Sequence, residues 1–503
     1  MRRSFCLALL FGLAGCQAPR VGVERGAVAP NPQLSAELSA KYAADTHRII
    51  GAALADNGAY EKLERLCDDV GHRLSGSEAL NQAIKWAADA MRADGLENVR
   101  TEPVEVVRWV RGAESVEMIE PRPQRLVMLG LGGSIATPPD GITAEVEVVR
   151  DEADLDRLGV GATGKIVLFN NAMPPYDPIR GSGYGQTVRF RSHGADLASD
   201  KGAVACLVRS VTAHSLRTPH TGAMSYGEGK RKIPAAAITI EDSAQIARLR
   251  ERGIKVVVRL KMEAHDEGKV ASANVIGEIR GSTLPDEVVV VGGHIDSWDV
   301  GDGAHDDGAG CVMSMQALAV LKKLGMRPKR TIRCVLFTNE ENGLAGGKQY
   351  AIDHAAELKN HIAALETDSG GFRPIAIGIS IPESAPPPGS YSSTRVLDGA
   401  RRRREPSDKD QHAAARLAAV LKLLEPHLSV YATSGGGGAD ISPMRSAGVP
   451  QLGLDVDGEH YFDYHHTPAD TLDKVNPRDL RECSATLAAA LYVIADMPGR
   501  LSD

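Results

Sequence analysis

From Ala273 onward, short runs of apolar residues alternate with longer helix-patterned segments, and each run ends in residues able to bind a metal. Val288-Val289-Val290-Val291 precedes a helix pattern from Gly310 to Leu324, and the run Thr331 to Thr338 follows it. A second helix pattern, Leu344 to Leu358, leads into a strand at Ile362 to Leu365. Helices are expected again at Gln411 to Leu424 and Arg478 to Ala495, with a strand at Gln451 to Leu454 between them. Strands that are apolar throughout are buried on both faces, and strands joined through helices run parallel. The pattern therefore predicts an α/β fold, a mostly parallel mixed sheet covered by helices on both faces.

The chain ahead of Ala273 reads differently. Between Leu38 and about Gly95 the apolar residues recur at helical spacing, in Leu63, Leu66 and Val70 and again in Ala83, Trp86 and Met91. A strand-like stretch, Val104 to Val110, follows. Short β-type runs at Ile166 to Phe169, Ala205 to Val208 and Ala236 to Ile240 are separated by loops rich in Gly and Pro. The 503 residues, 43% of them hydrophobic, are enough for two or three domains. The expected division is an α/β domain formed by 38–125 and 265–503, with a β-rich domain inserted at 126–264. Pro382 to Asp410, with Pro386-Pro387-Pro388 and the run Arg401 to Arg404, breaks the rhythm. It reads as a solvated surface loop, or as a rim that meets a substrate carboxylate or a partner subunit.

The N-terminus addresses the compartment. Arg2 and Arg3 precede an apolar stretch, Phe5 to Gly12, which is too short to span a bilayer. Leu13-Ala14-Gly15-Cys16 resembles a bacterial lipobox, so residues 1–16 read as a lipoprotein signal, with Cys16 lipidated and 17–37 a flexible tether. An ordinary cleaved signal is the alternative. Either way the expectation is an exported protein, lipid-anchored in the cell envelope or periplasmic or secreted. The net charge of −7 gives no reason to expect a nucleic-acid partner or attraction to an anionic membrane, leaving Cys16 as the one membrane link. Cys67, Cys206, Cys311, Cys334 and Cys483 contain no C-x-x-C pair, which argues against a disulfide framework or a cysteine zinc cage, and Cys311 and Cys334, in apolar segments, read as core residues.

In open parallel sheets ligands gather beyond the carboxyl ends of the strands. There stand His294 and Asp296, then His305, Asp306 and Asp307, then Glu340 and Glu341, then Glu366 and Asp368, and near the last strand His465 and His466. Singly each reads as a polar surface residue or a helix cap. Together they would repel one another unless divalent cations neutralised them. Imidazole and carboxylate without thiolate suit zinc, with cobalt or manganese as substitutes in vitro. Two ions would share one bridging carboxylate, giving His294 and Asp368 to one ion, Glu341 and His466 to the other, and Asp306 to both. Glu340, pointing away from its neighbour, is the expected general base, taking a proton from the attacking water and returning it to the leaving amine. Asp296 is expected to orient the His294 imidazole.

These motifs resemble the co-catalytic zinc aminopeptidase family, and within it the carboxypeptidase Q branch. The resemblance lies in G-G-H-I-D-S-W-D-V-G from Gly292, G-A-H-D-D-G-A-G from Gly303, T-N-E-E from Thr338, E-T-D-S-G from Glu366 and H-H-T-P-A-D-T from His465. It implies the same ligands and base, two zinc ions per chain, a protease-associated domain in the insertion, homodimers, and short peptide substrates with a free α-amino group. Gly435 to Gly438 with Asp440 is similar to a glycine-rich loop by the active site, which makes Gly438, Asp440 and His465 candidate substrate contacts, although a structural turn explains the glycines equally well. His305, immediately before Asp306, departs from the family pattern, and so does the length of Pro382 to Asp410. A true carboxypeptidase of the same mechanism and a non-catalytic receptor on the same fold remain alternatives. A single-zinc acyltransferase of the glutaminyl cyclase type is distinguished by metal count.

Overall fold

The computed structural model describes residues 26–178, 180–382 and 406–503. Two sheets organise them. Among the described residues the first has eight strands in the order Glu97–Val110, His265–Ile279, Arg330–Phe337, Leu284–His294, His361–Glu366, Gln451–Val456, Pro374–Ser380 and Tyr431–Ser434. Its centre is parallel, with Leu284–His294 between Arg330–Phe337 and His361–Glu366, and the latter beside Gln451–Val456. Antiparallel pairs on both flanks make the sheet mixed.

The valine run shows why both faces are covered. Val289 and Val291 pack into the core formed with the helices Ala309–Lys323 and Pro477–Asp496, whereas Val288 and Val290 pack with Tyr350, Ile441 and Met444 on the opposite face. Successive strand residues point to opposite faces, so four consecutive valines demand apolar cover on each. Each burial contributes roughly 1.5–3 kcal/mol. The register pairs His294 with Phe337 and Gly292 with Glu366, which brings the ends of three central strands to one edge. Pro374–Ser380 and Tyr431–Ser434 were not expected from the sequence; they extend the sheet beyond Gln451–Val456.

The second sheet runs Gln124–Leu126, Glu114–Glu120, Val257–Met262, Ile142–Val149, Ile166–Phe169, Ala205–Arg209, Ala235–Ile238 and Met128–Gly130. Glu114–Glu120 pairs with Val257–Met262, so this unit begins upstream of the expected residue 126. It also holds helices at Arg189–Asp200 and Ile240–Glu251, which makes it α/β rather than β-rich. The first of these was hidden by its polar composition and by Gly194, which sits close against the Phe169 ring: a Cβ there would lie 3.2 Å from it. At the junction of the two units Arg111 donates to both carboxylate oxygens of Asp299 through Nε and Nη2, and Trp298 meets Trp109 edge to face at 6.4 Å.

The folded body starts earlier than the tether expectation of 17–37 allowed. Asn31 Oδ1 accepts from Leu34 N at 3.0 Å to cap the helix Pro32–Leu54, Leu34 and Leu38 are buried, and Val28 N donates to Ala432 O. An asparagine cap followed by proline is a helix-start signal that the Pro- and Ala-rich composition masked. Residues 1–16 with Cys16, and the run Arg401 to Arg404, lie outside the described residues. No helix among the described residues is long and apolar enough to cross a membrane.

Candidate metal centre

His294 closes its strand with Nε2 3.4 Å from Asp306 Oδ1 and 3.7 Å from Asp368 Oδ1. On the other side of Asp306, His466 Nε2 stands 3.2 Å from Asp306 Oδ2 and 3.0 Å from Glu341 Oε2. The proposed bridging residue thus lies between two groups of donors. His465 is closer to this centre than a substrate contact need be: its Nε2 is 3.6 Å from Asp306 Oδ2 and its ring stacks on His466 at 3.5 Å. Asp306, His465 and His466 could hold a cation, as could His294, Asp306 and Asp368. Burial works to raise the Asp306 pKa, but the neighbouring His465, His294 and His466 together hold it well below the usual carboxylate value.

The imidazoles are oriented by backbone carbonyls. His294 Nδ1 faces the Asp296 carbonyl oxygen at 2.9 Å, while the Asp296 carboxylate is 3.9 Å away at its nearest. The carboxylate expected to orient His294 does something else. Its Oδ1 accepts from Glu340 N at 3.0 Å, and its Oδ2 accepts from Ser75 Oγ at 2.8 Å and Glu341 N at 3.4 Å. Asp296 therefore pins the turn that carries both the expected base and a ligand. Asn339, with φ +67°, begins that turn, and its amide donates to Ser75 Oγ; asparagine tolerates the left-handed region better than most residues. Glu340 itself is half-buried, and desolvation pushes its carboxyl well up, opposed by His294 and reinforced by Asp368, Glu341 and Asp296.

A second layer fixes the loop from Ile295 to Gly308. Arg73, with no exposed surface, donates to the carbonyls of Ile295, Asp302 and Gly303 at 2.6, 2.7 and 2.9 Å. Asp470 accepts from the amides of His305 and Asp306, and Asp307 accepts from those of His294 and Gly310. Asp470 and Asp307 stood within the quoted motifs; no local pattern marked Arg73. His305 is turned into the core, stacked between Phe372 and Tyr464, its Nδ1 accepting from Gly371 N.

The glycine-rich loop is built on a carboxylate. Glu366 accepts from Ala439 N and Ile441 N at 2.8 and 2.9 Å, and a Cβ on Gly438 would lie 2.0 Å from its carboxyl carbon. Burial and the nearby Asp368 push Glu366 up to about 7. Asp440 is fully buried, so it faces no open cleft, and neither of its oxygens has a hydrogen-bond partner. The open recess beside Asp368 is lined instead by Glu366, Gly437, Gly438 and Asp455.

The second unit reaches into the centre from the His466 side. His466, with φ +62°, places Nδ1 3.2 Å from the Thr221 carbonyl, and Thr221 N donates to His466 O. Tyr184 stacks on Phe462 and meets His465 edge to face, and Arg191 Nη1 lies 3.4 Å from His466 Nδ1. None of Thr221, Tyr184 and Arg191 was singled out from the sequence, since each lies far along the chain from the motifs.

The donor set fits a divalent cation. His294 Nε2, Asp306 Oδ2 and Glu341 Oε1, one from each donor group and one from the residue between them, are buried and have no hydrogen-bond partner. Buried polar atoms are normally satisfied, and orphans of both imidazole and carboxylate type in one place are what a metal site requires.

The family model for peptidase family M28 matches residues 274–491. The chain is 41% identical to carboxypeptidase Q of Homo sapiens over 443 residues, 88% of this chain and 86% of the human protein. It is 24% identical to aminopeptidase YwaD of Bacillus subtilis over 86% of this chain and 84% of that protein. Among solved structures, a peptidase M28 precursor from Shewanella amazonensis superposes with a TM-score of 0.82 at 37% identity, covering 91% of this chain and 97% of that one. A zinc aminopeptidase from Bacillus subtilis shares the fold, with a TM-score of 0.62 at 22% identity over 89% and 97% of the two chains.

Proposed function

The chain belongs to peptidase family M28, and on that premise we propose that it is a zinc-dependent exopeptidase acting on dipeptides and short peptides with a free α-amino group. The observation that carries the reading is the placement of Asp306 between the donor groups His294 with Asp368 and Glu341 with His466, with Glu340 beside them. His294 and Asp368 would hold one zinc ion, Glu341 and His466 the other, and Asp306 both. Bound zinc supplies Lewis acidity, polarising the scissile carbonyl and acidifying water.

Glu340 takes the proton of the attacking water and delivers it to the leaving amine; a carboxyl raised by desolvation is the stronger base once ionised. Asp296 keeps that carboxylate in place through the Glu340 amide. The recess beside Asp368, lined by Glu366 and Asp455, is anionic and suits an α-ammonium group better than a carboxylate. The name of the curated relatives favours a second reading, a true carboxypeptidase of the same mechanism. We read the inserted unit as a protease-associated module, and the leader sequence supports an envelope location through lipidated Cys16; a homodimer is the family expectation.

The test is hydrolysis of dipeptides with free and acetylated amino termini by zinc-loaded wild type and Glu340→Gln. Only free dipeptides should be cut, and the substitution should lower kcat by about 10²–10⁴-fold with zinc content unchanged. Equal cleavage of acetylated substrates would remove the amino-terminal preference. A zinc-loaded protein that cuts nothing would remove the hydrolase reading.

A further inference from the structure

Four arginines are buried among the described residues, and three of them are matched to acceptors. Arg73 donates to three carbonyls, Arg330 to Glu287 and the Met497 carbonyl, and Arg333 to Glu278 and the Tyr350 hydroxyl. Arg191 is 6% exposed and different: its Nε has no partner, and among the described residues no carboxylate pairs with it. Its neighbours are the Tyr184 ring, 5.5 Å from Cζ, whose phenol it contacts, and His466 Nδ1. That nitrogen already faces the Thr221 carbonyl and offers the guanidinium no anion.

A buried cation without a counter-charge is costly, several kcal/mol even after relaxation, so a fold that keeps one leaves it for a ligand to neutralise. The surroundings are built to hold it. Gly222, with φ +136°, lies so close that a Cβ there would be 2.5 Å from Arg191 Cζ and Nη1. His220, on the same segment, is 2% exposed, and neither of its ring nitrogens has a partner. A planar guanidinium with a free edge matches a carboxylate.

The position selects which carboxylate. Arg191 stands on the His466 flank of Asp306, and the anionic recess stands on the Asp368 flank. We infer that Arg191 receives the terminal carboxylate of the substrate, so that the enzyme selects dipeptides, which present an ammonium group on one side of the scissile bond and a carboxylate on the other. This rests on the exopeptidase reading above.

The experiment compares L-alanyl-L-leucine with L-alanyl-L-leucinamide on the zinc-loaded full chain. Wild type should favour the free acid in kcat/KM by about 10- to 100-fold, the range of a charge-assisted hydrogen bond pair. Arg191→Met should lose that preference through KM for the acid, so that acid and amide are cut with similar kcat/KM, and Arg191→Lys should fall between. Calorimetric binding of both compounds to Glu340→Gln, with and without Arg191→Met, gives the same comparison without turnover. Equal losses on acid and amide, or a wild type indifferent to the carboxylate in both assays, would overturn the assignment. If wild type cuts neither compound yet binds the acid in an Arg191-dependent way, the exopeptidase reading fails and Arg191 keeps its role.

Discussion

Replacing Asp296 by asparagine alters one atom of a fully buried side chain, and the structure says what that atom holds. The carboxylate accepts three hydrogen bonds, from Glu340 N on one oxygen and from Ser75 Oγ and Glu341 N on the other. An asparagine has one acceptor oxygen. Turned toward Glu340 N, it sets its NH₂ group against Glu341 N; turned the other way, it sets that group against Glu340 N. Ser75 cannot absorb the mismatch freely, because its hydroxyl already accepts from Asn339. In either orientation one backbone N–H of the turn loses its acceptor, at about 1–3 kcal/mol, and the remaining bonds lose the help of a full charge, for a total of roughly 2–4 kcal/mol. In a cooperative unit of this size that corresponds to a fall in Tm of about 2–4 °C. The melt should be run on chelated protein, so that metal affinity does not enter, and followed by zinc titration, where displacing Glu341 should weaken binding about 10- to 100-fold. Coincident melts and equal zinc affinities would refute the claim that Asp296 holds the turn.

Two further substitutions probe parts of the fold away from the ligands. Gly132→Ala would put a Cβ 2.0 Å from the ring of Trp298, which is 2% exposed and cannot yield, so it should cost about 1–3 kcal/mol and open the junction of the two units to limited proteolysis; an unchanged digestion pattern would contradict this. Glu102 and His354 form a part-buried pair at 2.9 Å; burial opposes both charges, but each partner's hydrogen bond and charge prevail, so His354 is raised and Glu102 lowered. A raised histidine stabilises fully below its unfolded value and loses that contribution as pH rises through its folded value; a lowered glutamate loses its contribution as pH falls. The pair therefore helps most between about pH 4.3 and 6.5. The Tm advantage of wild type over Glu102→Gln should shrink from pH 5.5 to pH 8.5, and an advantage independent of pH would refute the pairing.

The sheet centre was legible because its signal is local. Four valines in a row state two-sided burial, His294, Asp306, Glu340, Glu341 and Asp368 each follow a strand or precede a helix within a few residues, and His466 stands in a histidine pair just after the short helix Tyr461–Tyr464. What escaped was non-local or composition-masked. Arg73 reaches its three carbonyls across more than two hundred residues of sequence, and nothing in its neighbourhood marks it as buried. Asp296 was identified, but its carbonyl and its carboxylate exchanged the expected parts, a choice between two acceptors on one residue that spacing cannot resolve. The helix from Pro32 was obscured by a composition suited to a tether, and the one from Arg189 by its internal glycine.

The inserted unit cannot be a neutral passenger in this arrangement. As a ligand of the proposed centre, His466 would need its Nε2 unprotonated toward Asp306 and Glu341, which requires the proton on Nδ1 and an acceptor for it. That acceptor is the Thr221 carbonyl, and Thr221 belongs to the inserted unit, its hydroxyl tied to Gly130 O and to Arg111 at the junction with Asp299. Arg191 and Tyr184 come from the same unit and line the same flank. One surface thus sets the tautomer of a ligand and supplies the groups that would read the far end of a short substrate. Changes in the junction should therefore reach metal affinity and substrate selection together, because both depend on how the segment from His220 to Gly222 sits against His466.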